Sequence, residues 1–338
     1  RRRRDASCRG GPAGPHEEQI DVDLKSAFVI LSTGLQPSLE LLTERPSNSY
    51  PMLRNNLIIA IRTFRKNRVF SVINVLGLSS GLTAFILIAL FVRFELSYDD
   101  FHTDAQNIYR VSTNVRLENE IITRESNTYE GIIQSLKEDQ LEVRSLTVIS
   151  AFDSDATLLR ISDLEDGVVP LTDYKGLYAD ESFFNVFSFP LLNGETGNAL
   201  RAPYSAVVSE TLAETYFDND AIGRVLEFKD DEKASKRLVI TGVMKYVPPN
   251  SHVKFDVVVN VPQEDASFWE WRGHAYVDVA EGVDVTHIEQ RLNELARDKN
   301  GLKTENDYGQ VSTFSLQSLR DIHLYSSMND EFEPGGNV

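Results

Sequence analysis

One cysteine, Cys8, serves the whole chain of 338 residues. No disulfide can therefore form within the region downstream of it, and an exported domain would rest on its own core, as a bacterial periplasm permits. The phosphate cradle G-x-x-x-x-G-K-[ST] is absent, so ATP hydrolysis would have to come from a separate chain. His102, His252, His274, His287 and His323 lack the paired spacing of an HExxH metal helix, and no two carboxylates stand in an obvious acid–base setting. Ser251 beside His252 comes nearest to a nucleophile and its base. Neighbours in sequence usually point apart, however, and Pro248-Pro249-Asn250 marks a turn, so a surface loop is expected there. Positive charge is also scarce, with 34 Lys and Arg against 51 Asp and Glu, a net −17 and a pI near 4.8. Nucleic acid is a poor partner for such a chain, and an anionic surface would repel its acidic part. These absences lead to the expectation of a non-catalytic protein without cofactor or metal.

The longest absence is of charge itself. From Val69 to Val92 no charged side chain occurs, and fifteen of the positions are Val, Ile, Leu or Phe. At the rise of an α-helix this run covers about 36 Å, against about 30 Å of bilayer hydrocarbon. A buried helix of a soluble core seldom runs so far without a charge. A cleavable signal peptide has a shorter apolar region and a small-x-small site, which Phe91 to Tyr98 lacks. The segment 69–94 is therefore expected to be a membrane helix. Arg54, Arg62, Arg65, Lys66 and Arg68 precede it, while Glu95, Asp99, Asp100 and Asp104 follow. Basic flanks favour the cytoplasmic side, which puts the N-terminus inside and the residues after about 95 outside.

Residues 1–51 open on four arginines and a Gly/Pro cluster and show no sustained periodicity. They are expected to be a non-native or disordered extension, with a basic arm for nucleic acid or lipid head groups as the alternative. From Leu53, apolar residues recur at Leu57, Ile58, Ile61 and Phe64 with basic residues between them, which predicts an amphipathic helix over 52–68 on the inner leaflet. Within the span, Gly77 and Gly81 form a GxxxG pair with Ser80 beside it, a face suited to packing against another membrane helix. Nothing from Ile86 to Ser97 is Gly or Pro, so the helix is expected to run on as a stalk to about Asp99.

Beyond the span, periodicity predicts a strand over Asn107–Leu117, a helix over Ser126–Glu138 and a strand over Ser145–Phe152. The same order returns in Ala275–Val279, Val285–Lys299 and Val311–Leu316. Two separated β-α-β units suit a split ferredoxin-like layer, and the second is expected to pack back against the first. Between them lie short strands at Ala206–Ser209, Val225–Phe228, Leu238–Val243 and Phe255–Val259, with a helix at Glu210–Phe217. The fold class is accordingly α+β: one transmembrane helix, an α/β layer, and a strand-rich insertion.

Asn74-Val-Leu-Gly-Leu-Ser-Ser-Gly81, Glu95-Leu-Ser-Tyr-Asp-Asp-Phe-His102 and Ile108-Tyr-Arg-Val111 together resemble the start of MacB-like and FtsX-like ABC exporter permeases of the Bacteroidetes type. The likeness continues through Tyr178–Phe184, Phe187–Leu192, Val208–Ala213, Thr241–Met244, Pro248–His252 with Lys254–Asp256, and Asp321–Tyr325. It covers residues 52–338. The resemblance implies a porter-like layer in two parts, 95–163 and 266–328, and a Sabre-like insertion over 164–265. It also implies that 329–338 lead into a further membrane helix outside this chain. As partners it implies a separate ABC ATPase subunit, a second permease chain, the lipid bilayer of the inner membrane and, as a further candidate, a periplasmic adaptor. The implied function is export of a peptide, lipoprotein or toxic compound by mechanical transmission. A single-pass extracytoplasmic sensor is the alternative. The residues singled out are Gly77, Ser80 and Gly81 for helix packing, and Glu95, Tyr98, Asp99, Phe101 and His102 for the junction of stalk and outer domain.

Overall fold

A computed structural model describes residues 51–118, 120–138, 142–152, 157–161, 169–230, 235–262, 271–298, 309–333 and 335. The extension 1–50 lies outside the described residues, as does the end of the chain after 335. Two units are distinguished, one up to Leu76 and one from Gly77 onward. The first contains helix α1 (Pro51–Lys66) and the beginning of α2 (Arg68–Glu95). The chain bends at Asn67, whose N–H donates back to Thr63 O at 3.1 Å and whose carbonyl accepts from Ser71 N at 3.0 Å. By length and composition α2 is able to cross a membrane. Its large apolar side chains, among them Phe85, Leu87 and Ile88, are exposed and have no protein core to enter.

The helix has no break before Phe94, but it ends at Glu95 instead of near Asp99. The cause is local. Asp99 takes a left-handed conformation, φ 57°, and its N–H donates to Asn250 O at 2.9 Å, which draws the backbone away from the helical path. Ser97 Oγ donates back to Phe94 O at 2.7 Å and closes the last turn.

In the second unit the chain continues as β1 (Ile108–Leu117), β2 (Glu120–Glu125), β3 (Thr128–Tyr129), α3 (Glu130–Glu138) and β4 (Val143–Phe152). Next come β5 (Thr157–Ile161), β6 (Val169–Pro170), β7 (Gly176–Ala179), α4 (Phe183–Val186), β8 (Leu191–Asn193), β9 (Ser205–Ser209) and α5 (Glu210–Phe217). The rest is β10 (Val225–Asp230), β11 (Lys236–Met244), β12 (Val257–Asn260), β13 (Trp271–Val279), α6 (Val285–Asp298), β14 (Gln310–Ser318) and α7 (Leu319–Tyr325). The main path of the sheet runs β14-β1-β13-β4-β7-β12-β9-β11-β10-β5-β6.

Its first four strands are antiparallel neighbours. Numbered within the two β-α-β units they stand in the order 4-1-3-2, the ferredoxin-like arrangement in which the second unit interleaves with the first. Alternation along β13 explains the two faces. Ala275, Val277 and Val279 face a core with Ile132 and Leu136 of α3 and Ile288, Leu292 and Leu295 of α6. Tyr276 faces the opposite side, an aromatic core of Phe183, Phe187, Phe189 and Phe255 with Leu319 and Ile322 of α7. A third core holds Leu212, Ala213 and Phe217 of α5 against Val208, Leu226 and Ile240. β4 pairs on with β7, and β5 pairs with β10, so strands on both sides of residue 164 share one continuous sheet.

The predicted helix at Ser126 starts four residues later. Ser126 is held by Asn329 and His274, and Thr128–Tyr129 pair with β13 before α3 begins. Short elements without a periodic signal, β2, β5 to β8, α4 and α7, were not foreseen.

Candidate functional site at the stalk junction

Asp99 is the centre of the junction. Its side chain is fully buried, and its Oδ2 lies 2.9 Å from His252 Nδ1. Oδ1 accepts from His252 N at 3.1 Å and lies 3.4 Å from Ser251 Oγ. Burial pushes the Asp99 pKa up, but the His252 imidazole and these hydrogen bonds outweigh it and hold the carboxyl below the usual range. Asn250 completes the clasp by donating from Nδ2 to Ser97 O at 2.7 Å. The Pro248-Pro249 turn thus delivers three consecutive residues, Asn250 to His252, onto the end of the stalk.

From His252 the polar contacts continue inward. Its Nε2 lies 2.8 Å from Tyr276 Oη on β13. Tyr276 interacts in turn with the Arg110 guanidinium of β1, while burial raises the phenol's pKa. Arg110 is wholly buried and bonds Glu331 through two nitrogens, at 2.5 and 2.7 Å, and Gln317 at 2.6 Å. Burial works against its charge, yet Glu331 and Tyr276 more than compensate and raise the Arg110 pKa. Burial pushes Glu331 up, and Arg110 outweighs it and holds the carboxyl low. A chain of contacts therefore joins Asp99, four residues past the end of α2, to the segment after α7.

The other residues singled out from the sequence surround this clasp. Glu95 Oε2 lies 2.8 Å from His323 Nε2, and Tyr98 stacks on the His323 ring at 3.3 Å between centroids. Arg320 pairs with Asp100. Phe101 packs beside Phe189 of the aromatic core. His102 is buried, and its Nδ1 accepts from Ser188 N at 3.0 Å while Nε2 meets no partner. Burial lowers its pKa to about 4.

The surface-loop reading of Ser251 and His252 is corrected, because the two are 0% and 5% exposed. The turn was read rightly as a turn, but it is tucked under the stalk by the demand of Asp99 for partners. Nor do Ser251, His252 and Asp99 make a nucleophile. The Ser251 hydroxyl contacts Asp99 and donates to Val253 O at 2.9 Å, while the imidazole faces Asp99 and Tyr276. A serine triad needs its hydroxyl on the histidine. The wiring here joins backbone segments.

Gly77, Ser80 and Gly81 lie together on one face of α2, some four turns from the junction. Ser80 Oγ donates to Gly77 O at 3.0 Å, and a Cβ placed on either glycine would meet nothing within 4 Å. The two groups of residues are not brought together. Asn250, His252, Tyr276, Arg110, Glu331 and His323 were not foreseen as partners. Arg110 carried the one signal available, a charge at an inward position of an apolar strand.

The family model described as "MacB-like periplasmic core domain" matches residues 71–295. Among solved structures, a domain described as belonging to a permease protein of Porphyromonas gingivalis superposes with a TM-score of 0.51. It is 23% identical, and the match covers 64% of this chain and 91% of that one. The periplasmic region of MacB from Actinobacillus actinomycetemcomitans aligns at 15% identity and a TM-score of 0.43, with the same coverages. No curated protein matches.

Proposed function

The chain belongs to the MacB-like periplasmic core domain family of membrane permease components, and from this premise we propose that it is the permease subunit of an ABC-type exporter. A partner ATPase hydrolyses ATP inside the cell. A second copy of the chain packs on the Gly77, Ser80 and Gly81 face, α2 carries the motion across the inner membrane, and the outer region expels cargo. In this reading the N-terminus is cytoplasmic, and residues after about 95 form a porter-like layer (95–163 and 266–328) around a Sabre-like insertion (164–265).

One observation supports mechanical transmission best. Asp99, four residues past the end of α2, is clamped without solvent exposure, its carboxylate paired to His252 at 2.9 Å. A hinge meant to isolate the outer region from the helix would be left exposed and loosely bonded. A rigid clasp passes displacement on.

The test is purification of the full-length protein from native membranes, followed by export measured with its copurified ATPase. An ABC ATPase is expected to accompany the chain, and export is expected to stop when that ATPase binds but cannot hydrolyse ATP. Export that persists without any ATPase contradicts the proposal. Copurification with a kinase or cyclase instead would point to the sensor.

A further inference from the structure

From Pro51 to Phe94 the chain carries Arg54, Arg62, Arg65, Lys66, Arg68 and Arg93 and not one Asp or Glu. In a protein with 51 acidic residues this is a local reversal of charge. Most of it falls on α1. Helical spacing puts Leu57, Ile61 and Phe64 on one side, Arg62 and Lys66 on the other, and Arg54 and Arg65 along the boundary. All three apolar side chains are exposed, Leu57 to 62%. Arg65 and Lys66 suit the negative end of the helix dipole. That explains neither Arg54 and Arg62 nor an apolar side left open.

Asn67 alone separates α1 from a helix of membrane-spanning length and composition, and the chain bends there, the Asn67 N–H bonded back to α1 and its carbonyl to α2. No linker intervenes that would let α1 leave the bilayer surface. We infer that α1 docks on a surface of anionic phospholipid head groups, with Leu57, Ile61 and Phe64 in the acyl boundary and the arginines and lysine against lipid phosphates. Lipid charge then sets how deeply α1 sits. The inference rests on the proposed membrane crossing of α2. An acid-free helix complements an anionic bilayer along its whole length, and its long basic side chains at the boundary reach the phosphates while their stems cover apolar surface.

The test uses the full chain with Cys8→Ser and a fluorophore on Ala60→Cys, reconstituted in vesicles of phosphatidylcholine alone or with one part in three of phosphatidylglycerol. Quenching by brominated acyl chains reports lipid, and quenching by acrylamide reports water. With phosphatidylglycerol the label is expected to be quenched by the lipid and protected from acrylamide. In phosphatidylcholine alone, or in molar salt, the balance should move toward water. Each cation near such a surface contributes about 1 kcal/mol, so Arg62→Gln with Lys66→Gln should lower the docked-to-free ratio about thirty-fold. Equal lipid quenching in both vesicles and at both salt levels overturns the proposal in favour of apolar partitioning alone. Shielding from both quenchers overturns it in favour of a protein surface covering α1. Neither outcome touches the exporter reading, which the ATPase requirement decides separately.

Discussion

Lowering the pH from 7 toward 4 should destabilise the outer region before its carboxylates are neutralised, because two buried histidines must stay neutral. Burial holds His102 at about 4. Burial does the same to His274, where Asp330 opposes it and the nearby Arg110 charge reinforces it, again giving about 4. The geometry gives the reason in each case. A second proton on His102 would have to sit on Nδ1, where it would displace the 3.0 Å bond from Ser188 N. His274 uses Nε2 toward Asp330 O at 2.8 Å and Ser126 Oγ at 3.0 Å, so its second proton would lie on the partnerless Nδ1. The unfolded chain takes up both protons below pH 6.5, whereas the folded chain resists until about 4. Stability is therefore complete above 6.5 and falls as pH drops through this window, by about 3 kcal/mol per histidine. Asp180, raised mainly by burial, works in the opposite sense as pH falls through its raised value and offsets part of the loss. Asp99 and Glu331, held low, add their own loss only as pH falls through their depressed values. Against a total of about 5–15 kcal/mol the histidine contribution is large. Urea midpoints of the full chain in detergent, taken from pH 7 to 4.5 at constant ionic strength, would measure it. His102→Asn keeps an acceptor near Nδ1 and His274→Gln keeps a donor near Nε2, so the double variant should be nearly flat over the same range. A wild-type slope that survives in the double variant would refute the reasoning.

Three further outcomes follow from the packing. Asp99→Ala leaves His252, Ser251 and the turn without their buried acceptor and should cost about 3–5 kcal/mol, whereas Ser251→Ala should cost about 1; thermal midpoints that fall equally would show that the carboxylate is not the centre of the clasp. A Cβ at Gly77 or Gly81 meets nothing within 4 Å, so with Gly77→Ile and Gly81→Ile the outer region's midpoint should stay put while transport falls through about 1 kcal/mol of lost interhelical packing, and a shifted midpoint would contradict that. A Cβ on Gly176 would lie 2.0 Å from the Phe152 ring, so Gly176→Ala should cost about 1–3 kcal/mol by overpacking, with Phe152→Leu restoring part of it if the ring is the obstacle.

The long periodic elements were legible because their signal is repeated. α6 shows Ile288, Leu292 and Leu295 on one face, and the structure seats all three in the core over β13. The interleaving of the two β-α-β units followed from their order and from the edge each leaves uncovered. The clasp was legible from one side only. Glu95 to His102 stand together in sequence, but their partners come from residues 188, 250–252, 276 and 320–323, and contacts at such separations leave no periodic trace. Ser251 and His252 were misread for the same reason. Pro-Pro-Asn signals a turn, and whether a turn is buried depends on what lies over it.

The central claim is that the outer region moves as a partner goes through its cycle of ATP binding and hydrolysis. It is tested most directly by spin-label distances between two copies of the full-length protein, with Cys8→Ser and a label at the exposed Tyr246→Cys, in complex with the ATPase. The account predicts one distance distribution without nucleotide, a displaced one when ATP is bound and hydrolysis is blocked, and return to the first after hydrolysis. Distributions that superimpose in all three states would contradict it.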